Sequence, residues 1–290
     1  MLINPHFPLI DLRADEAYQS GHYLEATHLP WPDLQIRLNE LPERPARLQL
    51  LGDDLALTAA SAFLINKGYQ ISCQMSLERF EQFRQKYPGL VVLGRESRIL
   101  WRASPLLFAF ITRYENKDLQ PSVLSGKRLA LDIGCGGGRD SVYLACRGWQ
   151  VIAIDREQRV LQRAQQLAES SRQNLTIDWR VCCVDAEGCL PTEQVDLIVM
   201  MRYLNRDLMT KMDQMLNPGG YVIIQTFVEG VEAFGSPKNP NFILKKGELA
   251  KTFSVFNIIV DRIEHLKDGR PVASFIAQKR ESEDVRNECG

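Results

Sequence analysis

Between Leu129 and Glu157 the chain reads LALDIGCGGGRDSVYLACRGWQVIAIDRE. Glycines stand at 134, 136, 137 and 138, between an apolar run and a helix-forming one. Without a Cβ, such a loop lets the backbone come close to a ligand. It also opens a helix, whose first N–H groups lack intrahelical partners and face that same ligand. A second apolar run ends at Asp155, where a carboxylate can accept hydrogen bonds from a ribose diol. Together these residues describe a site for a cofactor that carries a nucleoside.

The dinucleotide pattern G-x-G-x-x-G asks for a third glycine at 139 or 141, and those positions hold Arg139 and Ser141. The spacing that fits is G-x-G-x-G over Gly134, Gly136 and Gly138, headed by acidic Asp132. That arrangement resembles motif I of the class I S-adenosylmethionine (AdoMet) methyltransferases. The resemblance implies AdoMet as cofactor, with Asp132, Gly134, Cys135, Gly136 and Gly138 at its amino-acid end, Asp155 at its ribose, and Arg156 also among the cofactor-binding residues. In that family an acidic residue after the third strand reaches the adenine amino group. Asp185, followed by Ala186, stands at that point here, and a simple strand-end cap is the other reading of Asp185.

The flanking pattern must position these groups. Val160, Leu161, Ala164, Leu167 and Ala168 lie at helical spacing and predict one buried face. Leu175–Val184 and Val195–Met201 read as strands, and a helix carrying Leu208, Met212, Met215 and Leu216 follows. NPGG (217–220) then reads as a turn into YVIIQTF. Alternating strands and helices predict a parallel sheet covered on both faces. Phe256–Arg262 and Pro271–Gln278, joined across Asp268-Gly269, predict a hairpin. Trp101, Pro105, Leu106, Leu107, Phe108, Phe110 and Ile111 read as a helix that covers the sheet edge or lids the cofactor site, where Trp101 and Arg102 could touch ligand.

LWRASPLL, MMRYLNRDL and QTFVEGVEAFGSPKNPNFILKKGELAKTF look like a subgroup of small bacterial methyltransferases related to the tellurite-resistance type. The resemblance spans roughly Leu100 to Lys279. The loop after the fourth strand offers Met201 to the cofactor, with Arg202 and Tyr203 as catalytic candidates. Arg202 and Arg206 could grip an anionic acceptor bidentately or pair with a surface carboxylate. Tyr203, Glu229, Glu232 and His265 are titratable, but none makes a convincing general base. A thiol or a chalcogen oxyanion would need none.

LIDLRADEAYQSGHYLEATHLP (9–30) and RLQLLGDDLALTAASAFLINKGYQI (47–71) resemble a rhodanese domain. Asp11 and Arg13 fit that family's structural salt bridge, and Gly21-His22 its turn. A sulfurtransferase needs a thiolate at the end of a strand. The matching position is Leu51, followed by Asp53 and Asp54, so the resemblance implies a module without its nucleophile.

These readings give an α/β chain. A rhodanese-like α/β domain (1–94) is followed by a linker with an edge or lid helix (95–121). A Rossmann-like class I methyltransferase domain (122–280) comes next, with a mostly parallel seven-stranded sheet and a C-terminal antiparallel hairpin, and then a polar tail (281–290). The chain has 290 residues and a net charge of −1, which offers no electrostatic footprint for nucleic acid. No apolar run approaches bilayer length and the first residues do not read as a signal peptide, so a cytoplasmic setting is expected. Seven cysteines (73, 135, 146, 182, 183, 189 and 289) read as reduced thiols, and with the histidines they make no metal-ligand spacing. The expected partner is a small-molecule methyl acceptor, with the first domain docking or forming a homo-oligomer. An AdoMet-binding regulator without turnover is the alternative.

Overall fold

The computed structural model describes residues 3–114, 128–171 and 174–281. The polar tail from 282, Cys289 and the linker residues 115–127 lie outside the described residues. Two compact units divide after Trp101, within the segment expected as a linker.

The first unit carries β1 (Leu9–Asp11), α1 (Asp15–Gln19), β2 (His22–Tyr23), β3 (Ala26–His28), β4 (Arg47–Gly52), α2 (Asp54–Asn66), β5 (Gln70–Ser76), α3 (Leu77–Lys86) and β6 (Val91–Val92). Its main sheet runs β3-β1-β4-β5, with every pair parallel, while β2 and β6 form a separate antiparallel pair. Ile10, Leu48, Leu50, Leu57 and Leu64 fill a core between this sheet and α2. Buried Asp11 is paired with Arg13 at 2.6 Å, and Arg13 also donates to the Gly21 carbonyl at 2.9 Å.

The second unit carries α4 (Pro105–Tyr114), β7 (Leu129–Ile133), α5 (Arg139–Cys146), β8 (Gln150–Asp155), α6 (Gln158–Ser171), β9 (Ile177–Val181), β10 (Val195–Met201), α7 (Arg206–Met209), α8 (Met212–Met215), β11 (Leu216–Phe227), α9 (Glu248–Thr252), β12 (Asn257–His265) and β13 (Pro271–Gln278). The seven strands run β12-β13-β11-β10-β7-β8-β9. β13 is antiparallel to both β11 and β12, and the other pairs are parallel. From β7 the chain builds outward through β8 and β9, then returns to place β10 on the other side of β7. Such a reversal opens a crevice at the carboxyl ends of the strands, where open α/β sheets bind ligands. Apolar runs in the central strands suit a sheet covered on both faces. Leu107, Phe110 and Ile111 of α4 are buried in one layer with Trp149 and Tyr221, and the Phe110 and Tyr221 rings lie 5.0 Å apart.

Three local expectations change. The helix expected across 208–216 is two single turns, α7 and α8, and Leu216 already begins β11. NPGG is an irregular start of that strand rather than a turn before it. Val195 pairs with Leu216 but Leu197 with Tyr221, so extra residues bulge out, tied by Asn217 Nδ2 donating to Asp196 at 2.8 Å. The strand expected over 175–184 stops at Val181, because the chain then folds back on itself. Cys189 N donates to the Ala186 carbonyl at 3.2 Å, and Cys182 and Cys189 form a disulfide with their Cα atoms 6.0 Å apart. The expectation of reduced thiols is thereby corrected for this pair.

Candidate functional site

The crevice holds a cavity of 570 Å³. Its wall follows the strand order: Gly134 after β7, Asp155 ending β8 and Asp185 after β9 lie towards one side, Arg202, Tyr203 and Asn205 follow β10, and Phe227 ending β11 and Arg270 before β13 lie towards the other, with Pro237 and Phe242 also in the wall.

The glycine loop is fastened to β8, since Gly134 N and Cys135 N both donate to the Ile154 carbonyl, at 2.8 and 3.0 Å. Gly134, Gly136 and Gly138 have φ of +70, +55 and +74°, a left-handed region costly for other residues. Their surroundings differ. A Cβ on Gly134 would stand 2.9 Å from Tyr203 Cβ, and one on Gly138 would stand 2.5 Å from Ala164 Cβ of α6. At Gly136 nothing comes nearer than the Gly134 carbonyl at 4.0 Å, so this is the open rung of the loop. Gly138 thus serves helix packing, a role its motif position did not reveal. Gly136 N donates to Asp155 Oδ2 at 3.0 Å and Glu157 N to Oδ1 at 2.9 Å. A carboxylate has about four acceptor sites, so Asp155 keeps capacity for a diol.

Beneath the loop lies a buried acidic group. Asp132 accepts from Ser141 Oγ at 2.5 Å, and its carboxyl is pushed up to about 8, by burial first and then by the charges of Asp140 and Asp155. Asp140 is raised too, again mainly by burial, and accepts from Ser104 N at 2.6 Å. A cationic ligand relieves such a cost. The Cys135 thiol is raised well above its ordinary value by burial and by Asp132, so it stays protonated and cannot act as a nucleophile. Burial also raises Tyr203, whose hydroxyl therefore remains a donor at neutral pH.

Arg202 has φ +57°, an unusual value for a residue with a side chain. Gln225 holds it there, accepting from Arg202 N at 2.7 Å through its carbonyl and from Nη1 at 2.8 Å through its side chain. Gln225 in turn donates to Ser274 Oγ at 2.7 Å, and Ser274 donates to Glu264. A polar relay across β11, β13 and β12 therefore fixes this guanidinium.

Of the residues singled out in the sequence, Gly134, Asp155, Arg156, Asp185, Arg202 and Tyr203 share the cavity wall. Asp132, Cys135, Gly136, Gly138, Ala186 and Met201 are not among its lining residues, nor are Trp101, Arg102, Glu229, Glu232 and His265. Arg206 is no anion ligand, because Glu248 holds it at 2.6 Å and the Ile243 carbonyl at 2.8 Å. Asp185 sits inside the turn that the Cys182–Cys189 disulfide closes, accepting weakly from Asn205 Nδ2 at 3.3 Å. Arg270, Phe227, Pro237 and Phe242 were missed. Their only signal was the Asp-Gly turn that precedes Arg270.

Residues 130–220 match a family model described as a methyltransferase domain. The matched region is a methyltransferase domain that takes in the glycine loop, Asp155 and Asp185. An uncharacterized protein of Schizosaccharomyces pombe (UNK4.09) is 26% identical over 325 residues, covering 94% of this chain and 93% of that protein. A ubiquinone biosynthesis O-methyltransferase of Chromobacterium violaceum is 26% identical over 166 residues, 56% of this chain and 66% of the relative. One from Azoarcus sp. is 32% identical over 117 residues, 38% and 48% of the two chains. This chain therefore spans between about half and two thirds of the ubiquinone O-methyltransferases it matches. Among solved structures, TehB of Haemophilus influenzae has a TM-score of 0.45 at 22% identity, covering 60% of this chain and 67% of TehB.

Proposed function

We propose that the chain transfers a methyl group from AdoMet to a small-molecule acceptor in the crevice of its second unit. The observation that carries this reading is the glycine loop tied to Asp155 at one side of a 570 Å³ cavity, within the size range of ligand pockets. Bound AdoMet would supply an activated methyl on a sulfonium. Asp155 would accept from the ribose hydroxyls and Asp185 from the adenine amino group. Open Gly136 and buried Asp132 would receive the amino-acid end, whose ammonium offsets the clustered acidic charge. Tyr203, packed against Gly134, would face the methyl and Arg202 would orient the acceptor, and alignment of this kind can lower a barrier by up to ~10 kcal/mol. Parallel titration of the full chain with AdoMet and S-adenosylhomocysteine (AdoHcy), followed by an acceptor screen, tests the reading. Binding without transfer to any small acceptor would favour the regulator.

The first unit fits a rhodanese-like module without sulfurtransferase chemistry, serving in docking or oligomerisation. Three features support this: the parallel sheet, the Asp11–Arg13 pair, and fully buried Leu51 at the end of β4. Only Asp53 separates β4 from α2, and it accepts from Ala56 N at 2.9 Å. A carboxylate thus occupies the helix N-terminus that would otherwise stabilise a thiolate.

A further inference from the structure

Two guanidinium groups converge on one aromatic ring at the end of the cavity away from the glycine loop. Arg270 Cζ lies 4.9 Å and Arg202 Cζ 5.7 Å from the Phe227 ring centroid. Asp268 holds Arg270 through Nε at 2.9 Å and Nη2 at 2.8 Å. Arg270 Nη1 has no protein acceptor among the described residues. Pro237 and Phe242 extend the apolar wall beside the ring. The two carboxylates that line the cavity, Asp155 and Asp185, belong to its glycine-loop end. The far end therefore offers the Arg202 guanidinium, which neutral Gln225 holds, and the Nη1 donors of Asp268-paired Arg270, next to a flat apolar surface, the chemistry that recognises an aromatic or otherwise planar acid.

No histidine, lysine or glutamate is among the lining residues, and Tyr203 keeps its proton at neutral pH. A nucleophile that must lose a proton during transfer is poorly served there, whereas one already ionised in solution is not. Resting on the methyltransferase reading above, we propose that Arg270, together with Arg202, anchors the oxyanion of a flat acidic acceptor against Phe227, and that the nucleophile at its other end is a thiolate. In the step so arranged, the thiolate sulfur bonds to the methyl carbon as the methyl–sulfonium bond breaks. That bond's electron pair goes to the departing thioether sulfur, and neither a proton nor an oxidant is required.

Three benzenethiols that differ only in the para group test this with the full chain: 4-mercaptobenzoate, 4-methylbenzenethiol and 4-aminobenzenethiol. Methyl thioether formation is followed by mass spectrometry at saturating AdoMet. KM for the carboxylate should be lower than for the two neutral thiols by about tenfold or more, the size of a charge-assisted contact. Arg270→Gln should bring that ratio close to one, and Arg270→Lys should restore part of it. Calorimetric binding of 4-(methylthio)benzoate to the AdoHcy-loaded protein should follow the same order, independently of turnover. Equal KM values across the series, a ratio unchanged in Arg270→Gln, or no thiol methylated by protein that binds AdoMet would each overturn the proposal. Failure to bind AdoMet at all would remove the methyltransferase reading with it.

Discussion

Replacing Asp132 by Asn should make the free protein more stable and its cofactor binding weaker. Asp132 lies at 1% exposure in β7, and its carboxyl titrates near 8 in the folded chain against an ordinary value of 3.8. Between those values the folded state holds a proton that the unfolded state has released. Stability from this group is therefore greatest below about pH 4 and declines as pH rises toward 8. At roughly 1.4 kcal/mol per pH unit of displacement the cost at pH 8 is a few kcal/mol. Asn is nearly isosteric and can still accept from Ser141 Oγ, so it removes the cost without opening a cavity. For a unit of this size that corresponds to a rise in melting temperature of roughly 2–4 °C per kcal/mol. Thermal unfolding of both proteins from pH 4 to pH 9, without ligand, gives the comparison. The curves should coincide near pH 4 and separate progressively up to pH 8. AdoMet affinity at pH 8 should meanwhile fall about tenfold or more, because the ligand's positive charge loses its buried partner. A variant no more stable than the parent at pH 8, or a difference independent of pH, would refute the electrostatic argument.

Asp155→Ala should weaken AdoMet binding by ~1.5–3 kcal/mol, as expected for hydrogen bonds to a charged group, and calorimetry would show it. Gly138→Ala should lower the denaturation midpoint, since its Cβ would meet Ala164 Cβ at 2.5 Å in a left-handed backbone, an overpacking cost of about 1–3 kcal/mol. Leu51→Cys should yield no thiosulfate:cyanide sulfurtransferase activity, because the side chain is buried and Asp53 occupies the start of α2. Peptide mapping without reductant should recover Cys182 linked to Cys189, and reduction should weaken AdoMet binding by loosening the turn that carries Asp185.

The parts of the site carried by the local pattern could be read from the sequence. The glycine loop, the strand ending at Asp155, the amphipathic helix with Leu161, Ala164 and Leu167, and the terminal hairpin each have a short-range signature. The structure forms all four. What could not be read depends on contacts between distant segments. Gly138 looks like a ligand-facing glycine until α6 is seen against it. Arg206 looks like a free cation until Glu248, 42 residues on, closes over it. Arg270 reaches the cavity only because β13 pairs with β11 and brings the hairpin tip back to Phe227. Cys182 and Cys189 meet because β9 ends early and the chain turns at once, an event that strand periodicity does not encode. Among the described residues no helix is long and apolar enough to cross a membrane.

AdoMet binding by the glycine loop, Asp155 and Asp185 underlies the proposed methyl transfer. Isothermal titration of the full chain with AdoMet, AdoHcy and NAD in parallel tests it most directly. One AdoMet or AdoHcy should bind per chain with micromolar affinity, and NAD should give no heat. Absence of binding by both adenosyl ligands would contradict it.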